Sequence, residues 1–410
     1  MPGTRPRSFI AHLPWLALPL FALWAAAAAC LPLAARVRDG RLVDARGAPL
    51  ILRGVNISGL ETCPIQGWAW NSERTRYDPW GGSHPKWSAI RAWKANAVRL
   101  PLNEASWLGS TVYDHDGRPR AADPGGNYRA TVIDAVNEAT AAGLYVILDL
   151  HWGGPKVPVP GQAGPVPQTP FEGDGGQNPM ADLDHSLGFW ATIANTFRDN
   201  PAVLFDLYNE PYFWWLAPGQ DEWRVWRDGG TITQYVTGTQ PYQLPYAWQS
   251  AGMQAMLNAV RGTGASNVVI ASGVNWAGDL SGWLAHRPAD PLRQLAAGWH
   301  AYPYRKDPSI PASGTIQYAY ALGIAAAGFP VIITETGEHN APGTVGAPLM
   351  AALLPWADQH SISYFGWTWN AWKNPDNVLI RDADGTPTDG YGRQFRDHLR
   401  CAASGRADCR

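Results

Sequence analysis

Two segments of the chain end in a glutamate that follows an apolar, strand-like run. Asn209 and Glu210 close the segment VLFDLYNE, and Glu335 closes the segment VIITE. Strands that end at a common edge can bring both carboxylates to one mouth. Cleavage of a glycosidic bond requires such a pair, because one carboxyl protonates the leaving oxygen while the other attacks the sugar carbon or activates water. The pattern therefore indicates acid–base chemistry on an acetal.

Other strand-like runs also end in polar or aromatic side chains. These are Asn56, Arg99, His151, Asn275, Trp276, His300, Tyr302 and Trp367. Each of them alone has a structural explanation, since a lone histidine is more often hydrogen-bonded within the fold, an arginine an ion-pair partner and an asparagine a cap. Their occurrence together at strand ends favours a functional rim.

The elements that must position these residues alternate along the chain. Eight apolar, β-branched runs lie at 50–57, 96–102, 144–152, 202–210, 267–276, 296–302, 329–335 and 362–369. Helix-like stretches lie at 87–96, 128–143, 185–200, 246–262, 317–328 and 347–360, with a weaker, proline-containing one between the fifth and sixth runs. Near-continuous apolar strands between amphipathic helices are typical of a parallel sheet buried on both faces. Eight units predict an α/β fold, a single closed (β/α)8 TIM barrel, preceded by a short N-terminal hairpin that turns at Arg46–Gly47.

The loops after the strands are expected on one face of such a barrel, where active sites lie. The longest follows the fourth strand and is rich in Trp and Tyr, which disfavours disorder. The chain has no internal repeat, linker or second domain, so 36–410 is predicted to be one catalytic domain.

Composition narrows the partner class. The 410 residues carry a net charge of -2 and include 22 Trp. Without a strongly basic stretch, nucleic acid is not an expected partner. Many of the tryptophans can fill the core, but those at strand ends can also stack on the C–H faces of sugars. The expected partner is a polysaccharide or oligosaccharide, and the protein is expected to be a monomer.

The first 35 residues have the layout of a secretory signal. Arg5 and Arg7 precede an apolar stretch that ends in small residues, and Pro14 and Pro19 disfavour a permanent spanning helix. We expect export to the periplasm or medium with cleavage near Ala35. The alternative is a lipoprotein signal ending before Cys30, which would leave a lipid anchor as the one membrane contact.

Four cysteines are present in the chain. Export permits disulfides, and Cys401 and Cys409 are close enough in sequence to staple the tail, which would leave Cys63 free or buried. No Cys/His spacing is typical of a zinc site. We expect no catalytic metal and no cofactor, because carboxylates and water suffice for the chemistry.

The order of several motifs resembles glycoside hydrolase family 5, cellulase family A, within the clan of retaining (β/α)8 hydrolases. The matching strings are Gly54–Asn56, Gly59–Thr62, Val98–Pro101, Leu148–His151, Tyr208–Pro211, His300–Tyr302, Thr334–Glu335 and Trp367. Together they cover nearly the whole chain after the leader. Ile57–Ser58 replaces a frequent aromatic pair, and Trp152 and the long fourth loop are also unusual. These departures bear on the substrate more than on the chemistry.

The resemblance implies a role for most of the rim residues. Glu210 would be the general acid/base and Glu335 the nucleophile, which Arg99 and Tyr302 would hold ionised and aimed. Asn209 would bind the sugar 2-hydroxyl, His151 and His300 would support the sugar and the acid, and Trp367 would lie beneath the reacting ring. Trp369 is the alternative if the register of the last strand differs by two. Trp152, Trp214, Trp215 and Trp276 are candidates for outer subsites.

Four other acidic residues rank lower as site residues. Glu338 is expected to hydrogen-bond a loop, Asp149 and Asp206 to make structural hydrogen bonds, and Glu104 has a smaller chance of touching substrate.

The resulting hypothesis is a secreted, retaining endo-β-glycosidase, most simply an endo-β-1,4-glucanase (cellulase). The nearest alternative keeps the chemistry on β-mannan, xyloglucan or short β-glucosides attacked from one end. A remote alternative is a non-catalytic carbohydrate-binding barrel, for which loss of one glutamate would be the sequence mark.

Overall fold

A closed eight-stranded parallel barrel forms the centre of the protein in a computed structural model. The structure describes residues 1, 3, 32–62, 69, 75–113, 119–153, 157–158, 165–166, 178–213, 216, 219–235, 245–302, 313–338, 347–373 and 377–406. The barrel strands are β1 Arg53–Asn56, β2 Ala97–Asn103, β3 Tyr145–Trp152, β4 Val203–Asp206, β5 Val269–Ser272, β6 Leu295–Ala301, β7 Val331–Thr336 and β8 Ser363–Gly366. Each pairs with the next in the chain, and β8 pairs with β1. The predicted barrel is confirmed.

Helices cover the outside of the barrel. They are α1 Trp87–Ala92, α2 Glu104–Leu108, α3 Tyr128–Ala141, α4 Ser186–Phe197, α5 Glu222–Asp228, α6 Met253–Gly262, α7 Trp283–His286, α8 Ser313–Ala326, α9 Pro348–Gln359 and α10 Tyr391–Ala403. Their apolar faces and the outward strand residues, such as Val98 and Leu100, share one large buried cluster. The weak helix expected between β5 and β6 is the four-residue α7.

Inside the barrel, the pleat separates an apolar layer from a polar one. Ala97, Ile147 and Leu204 belong to a buried cluster at the amino end of the strands. Two residues further along, the same inward faces carry Arg99, Asp149 and Asp206, because side chains alternate along a strand. The apolar layer thus supports a buried polar layer directly beneath the rim.

The predicted helix at 246–262 is wrong in its first part. Residues Pro245–Ala251 form a strand antiparallel to Gly229–Tyr235, and α6 begins only at Met253. Alternation in YAWQSA is compatible with either structure, and pairing with a partner strand from the same long loop decides it.

The N-terminal hairpin is present, with a turn that differs from the predicted one. Arg36–Arg38 pairs with Arg41–Val43 through Asp39 and Gly40, both at positive φ, while Arg46–Gly47 forms a second turn that leads into β1. Just before it, the Ala35 amide donates to the Pro201 carbonyl at 2.9 Å, at the base of the barrel.

Most of the predicted leader, residues 2 and 4–31 with Cys30, lies outside the described residues. Cys63 and Cys409 lie outside them as well. Cys401 is disulfide-bonded, and its predicted pairing with Cys409 stays a prediction. Within the described part of the chain, no helix is long and apolar enough to cross a membrane.

Candidate active site

Glu335 lies near the end of β7 and is held by two donors. The Arg99 Nη1 donates to its Oε1 at 2.7 Å, and the Tyr302 hydroxyl donates to its Oε2 at 2.9 Å. Its side chain is largely buried, yet it faces the rim. A carboxylate that accepts two such bonds has a fixed orientation.

Glu210 lies four residues beyond the last residue of β4 and is half-buried. Its Oε1 is 3.0 Å from the Nδ1 of His300, which also lies 3.5 Å from the Oε2 of Glu335. The His300 ring therefore stands between the two carboxyl groups. Its Nε2 is buried and has no hydrogen-bond partner among the residues that the structure describes, so the polar contacts seen for this imidazole are on the Nδ1 side.

The two carboxyl groups are close together. One ligand atom from each of Glu210, His300 and Glu335 lies within 4.8 Å of the others. Carboxyl groups about 5–5.5 Å apart suit a nucleophile and an acid on the same acetal, whereas about 6.5–9.5 Å leaves room for an activated water. Among the described residues this trio is also the one with spacing suited to a metal ion, although its two glutamates are the ones that the acetal chemistry requires.

Arg99 connects the nucleophile candidate to the polar layer of the barrel. Its guanidinium also donates to the Oδ1 atoms of Asn56 at 3.1 Å and Asn209 at 3.0 Å. Below, it contacts Asp149 at 2.9 Å and Asp206 at 3.1 Å. Asp149 and Asp206, for which structural hydrogen bonds are expected from the sequence, both contact Arg99.

One cation faces three carboxyl groups in this network. Burial disfavours the charge on Arg99, but the carboxylates of Asp149, Asp206 and Glu335 outweigh it and raise the pKa of the guanidinium. Burial raises the pKa of Asp206 to about 8, with Arg99 opposing and Asp149 adding to the shift. Burial thus favours the neutral form of Asp206, whereas the neighbouring Arg99 favours its carboxylate.

His151 is oriented by an aspartate below it and an aromatic ring beside it. Its Nδ1 lies 2.7 Å from the Asp149 Oδ2, and its ring is parallel to that of Trp367, with centroids 5.6 Å apart. Burial lowers the pKa of His151, but the hydrogen bond to Asp149 and the charges of Asp149 and Glu335 raise it by more. His151 and Trp367 therefore form one stacked unit at the rim.

The remaining aromatic candidates differ in position. Trp152 is half-buried beside His151, and half-buried Trp276 stacks on Tyr212 with centroids 5.0 Å apart. Trp369 is 3% exposed and packs edge-on against Trp93, so its ring is not open to a sugar in this structure. Trp214 and Trp215 lie outside the described residues.

The acidic residues Glu338 and Glu104 interact with other parts of the protein and not with the candidate site. Glu338 accepts from the amides of Leu349 and Met350, both at 3.0 Å, at the start of α9. Glu104 is fully buried against Asp182 rather than exposed to a ligand, and burial followed by the Asp182 charge raises its pKa well above the usual value.

From the sequence, Asn56 was placed on the rim without a role, and Tyr212 was not singled out. Asn56 was only one of several strand-end residues, although its amide also donates to the Thr334 carbonyl at 3.1 Å beside Glu335. The position of Tyr212 two residues after Glu210 is the signal that could have indicated it.

Comparison with known proteins decides which family this geometry represents. The family model for cellulase, glycosyl hydrolase family 5, matches residues 43–373. The chain belongs to this family. It is 25% identical over 368 residues to the major extracellular endoglucanase of Xanthomonas campestris, covering 83% of this chain and 66% of that one. Family 5 membership confirms the predicted family and places the chain among the glycoside hydrolases.

Solved structures agree on the fold. A β-glucanase from Saccharophagus degradans in complex with cellotetraose superposes with a TM-score of 0.59 at 20% identity, covering 91% of this chain and 94% of that one. A β-mannanase from Streptomyces thermolilacinus gives a TM-score of 0.54 at 20% identity, covering 91% and 98%. The chain spans only about a quarter to about half the length of several curated relatives, so these likenesses establish the family and the barrel.

Proposed function

We propose that this family 5 protein hydrolyses internal β-1,4 bonds of a glucan by a retaining, double-displacement mechanism. The observation that carries the proposal is the separation of the two carboxyl groups, with an oxygen of Glu210 within 4.8 Å of one of Glu335. This spacing is closer to the separation of about 5–5.5 Å that suits direct attack by one carboxylate on the sugar carbon than to the separation of about 6.5–9.5 Å that accommodates an activated water.

In the first step, Glu335 attacks the anomeric carbon while Glu210 protonates the leaving oxygen. The hydrogen bonds from Arg99 and Tyr302 fix the orientation of the carboxylate that attacks. The bond to the leaving sugar breaks with its electron pair on oxygen, where the proton from Glu210 neutralises it.

In the second step, Glu210 works in the opposite direction. With Glu335 esterified, one negative charge is absent from the site, and Glu210 can take a proton from water as that water attacks the anomeric carbon. The ester bond to Glu335 breaks in the same step, so that Glu335 leaves as a carboxylate and the sugar is released with a free hydroxyl group. His300, 3.0 Å from Glu210 and 3.5 Å from Glu335, contacts both carboxyl groups through one nitrogen. The ring can therefore stay in contact with both carboxyl groups in both steps.

Asn209 binds the 2-hydroxyl of the reacting sugar through its amide nitrogen. Its Oδ1 accepts from Arg99, which orients the amide so that the NH2 group faces away from the arginine. A hydrogen bond at the 2-hydroxyl strengthens as the oxocarbenium-like transition state forms. The stacked rings of His151 and Trp367 supply a flat wall for the same sugar.

A β-1,4-glucan is the proposed substrate, and a β-mannan is the second candidate. The named activity of the Xanthomonas campestris relative and the cellotetraose complex of the Saccharophagus degradans neighbour favour glucan. The superposition with a β-mannanase favours the alternative. Release of reducing ends from carboxymethylcellulose, β-mannan, xyloglucan and xylan in parallel separates them, and a fast fall in viscosity indicates internal cleavage.

The catalytic roles are tested with Glu210→Ala and Glu335→Ala in the presence of azide. Azide should rescue Glu210→Ala on an activated aryl glycoside and give the β-glycosyl azide, whereas Glu335→Ala should give the inverted α-azide. Wild-type turnover in both variants, or the reverse pairing of products, would show that the assignment is wrong.

Export is the proposed location, and the partner is the glycan. The basic and apolar start of the chain supports export, as does the extracellular activity named for the Xanthomonas campestris relative. Mass spectrometry of the N-terminus of secreted protein distinguishes cleavage near Ala35 from lipidation at Cys30, and sedimentation tests the expected monomer.

A further inference from the structure

Three consecutive residues after β5 adopt a left-handed backbone. Asn275, Trp276 and Ala277 have φ values of 58°, 55° and 55°. Residues with a Cβ rarely adopt this conformation, and they do so mostly one at a time. A run of three persists only where its surroundings determine it, and such runs cluster at functional sites.

The base of this turn is pinned on both sides. Val274 and Asp279 exchange backbone hydrogen bonds at 3.2 and 3.0 Å, and the Gly278 amide donates to the Asn275 carbonyl. The Asp279 carboxylate in turn accepts from the Gln317 Nε2 at 3.1 Å, and the Gln317 Oε1 accepts from the Leu280 amide. Helix α8 therefore anchors the turn from outside the barrel.

The top of the turn is hydrogen-bonded both to the segment that carries Glu210 and to His300, which contacts Glu210. The Trp276 amide donates to the carbonyl of Pro211, the residue after Glu210, at 2.8 Å. The Ala277 carbonyl accepts from the His300 amide at 2.9 Å. Since the His300 Nδ1 lies 3.0 Å from the Glu210 Oε1, the contacts close a ring that runs from Glu210 through the turn to His300 and back.

A second contact fixes the same segment from the side. The ring of Trp276 lies parallel to that of Tyr212, at an interplanar angle of 12°. Tyr212 follows Pro211, so the chain just beyond the acid is held by a backbone hydrogen bond and by a ring stack. Ala277 itself is fully buried and does not face the rim.

We propose that the left-handed turn Asn275–Ala277 is a positioning element that aligns Glu210 with the leaving oxygen. The inference rests on the proposed role of Glu210 as general acid. The left-handed backbone directs the Trp276 amide towards Pro211 and the Ala277 carbonyl towards His300. A change that moves this backbone should therefore impair proton donation selectively and leave the nucleophile, which β7 carries, in place.

Ala277→Val tests the inference, because a β-branched residue is poorly accommodated at this φ, whereas Ala277→Gly keeps the conformation at no steric cost. The assay compares kcat/KM on two substrates that wild-type protein cleaves. One is an oligosaccharide whose leaving sugar needs a proton, and the other is a dinitrophenyl glycoside whose leaving group needs none. The ratio of the two values reports acid catalysis, because both share the attack by Glu335.

Ala277→Val should lower kcat/KM for the oligosaccharide by about tenfold or more, since general acid catalysis contributes about 10²–10⁴-fold. The value for the dinitrophenyl glycoside should stay within about threefold, and Ala277→Gly should match wild type on both. Ser361→Val is the matched control, with φ 58° at an exposed site just before β8. It should lower the Tm without changing the ratio. If Ala277→Val fails to fold, Gln317→Ala loosens the same turn and should shift the ratio in the same direction.

An equal loss on both substrates, or an unchanged ratio in Ala277→Val and Gln317→Ala, would overturn the positioning role. Wild-type protein that cleaves neither substrate would instead refute the proposed function. The two failures are therefore distinguishable.

Discussion

Replacement of Arg99 by lysine tests the buried network most directly. Arg99 contacts five side chains with one rigid fork, namely Asn56, Asp149, Asp206, Asn209 and Glu335. A lysine ammonium keeps the positive charge but has three donors on a flexible stem. At least two of the five contacts must therefore be lost, and the ones that remain cannot all keep their geometry.

The size of the effect follows from the number of contacts. Hydrogen bonds to charged groups contribute about 1.5–3 kcal/mol each, so two lost contacts lower the free energy of unfolding by about 3–6 kcal/mol. The effect on activity has a different origin. Glu335 and Asn209 would lose the donor that aims them, and a displacement of about 1 Å at reacting groups costs about 10²-fold. We therefore expect kcat/KM to fall by about that factor.

Arg261→Lys provides the control for stability alone. Arg261 also forms a buried fork, with two bonds of 2.9 Å to Asp290 and two of 3.0 Å to the carbonyls of Ala265 and Asn267. It lies at the amino end of the strands, away from Glu335. Urea denaturation should show a similar loss for both variants, whereas reducing-end assays under folding conditions should show a loss only for Arg99→Lys. Wild-type kcat/KM in Arg99→Lys, or equal activity losses in both variants, would refute the reasoning.

Three further predictions concern stability. In Glu104, burial and then the Asp182 charge raise the pKa well above the usual value, so the folded state binds more protons than the unfolded state from about pH 4.3 upward. The free energy of unfolding should therefore fall as the pH rises above about 4.3. In Glu104→Gln, urea denaturation at several pH values should show a weaker dependence of this free energy on pH. The same pH dependence in the variant and in wild type would contradict this. Glu338→Ala should lower the free energy of unfolding by about 1–2 kcal/mol, since its carboxylate accepts two amides at the start of α9, as an N-cap does, and a Tm scan within about 1 °C of wild type would argue against this role. In Gly392→Ala the new methyl group would collide with the Leu379 carbonyl, so roughly 1–3 kcal/mol should be lost. Gly188→Ala, with open space around it in α4, should gain up to about 1 kcal/mol, and thermal melts that give the two alanine variants the same sign would refute the packing argument.

Part of the candidate site was readable in the sequence because it depends on local pattern. Eight apolar runs between amphipathic stretches predict the barrel, and the carboxyl ends of parallel strands must share one rim. Any polar residue at such an end, including Glu210, Glu335 and His300, is therefore expected near the others. This holds even for Glu210, which lies in the loop beyond β4 rather than in the strand.

Other features depend on contacts between distant segments, and only the tertiary structure decided them. The pattern of alternation could not tell which carboxyl groups share Arg99, nor that burial raises the pKa of Asp206 among them, because pKa shifts depend on burial and on neighbours in space. The residues 246–251 became a strand because a partner strand was available to pair with them. None of the three residues of the left-handed turn Asn275–Ala277 is a glycine, so the sequence does not indicate this conformation. Its conformation follows from hydrogen bonds to Pro211 and His300, which the fold brings beside it.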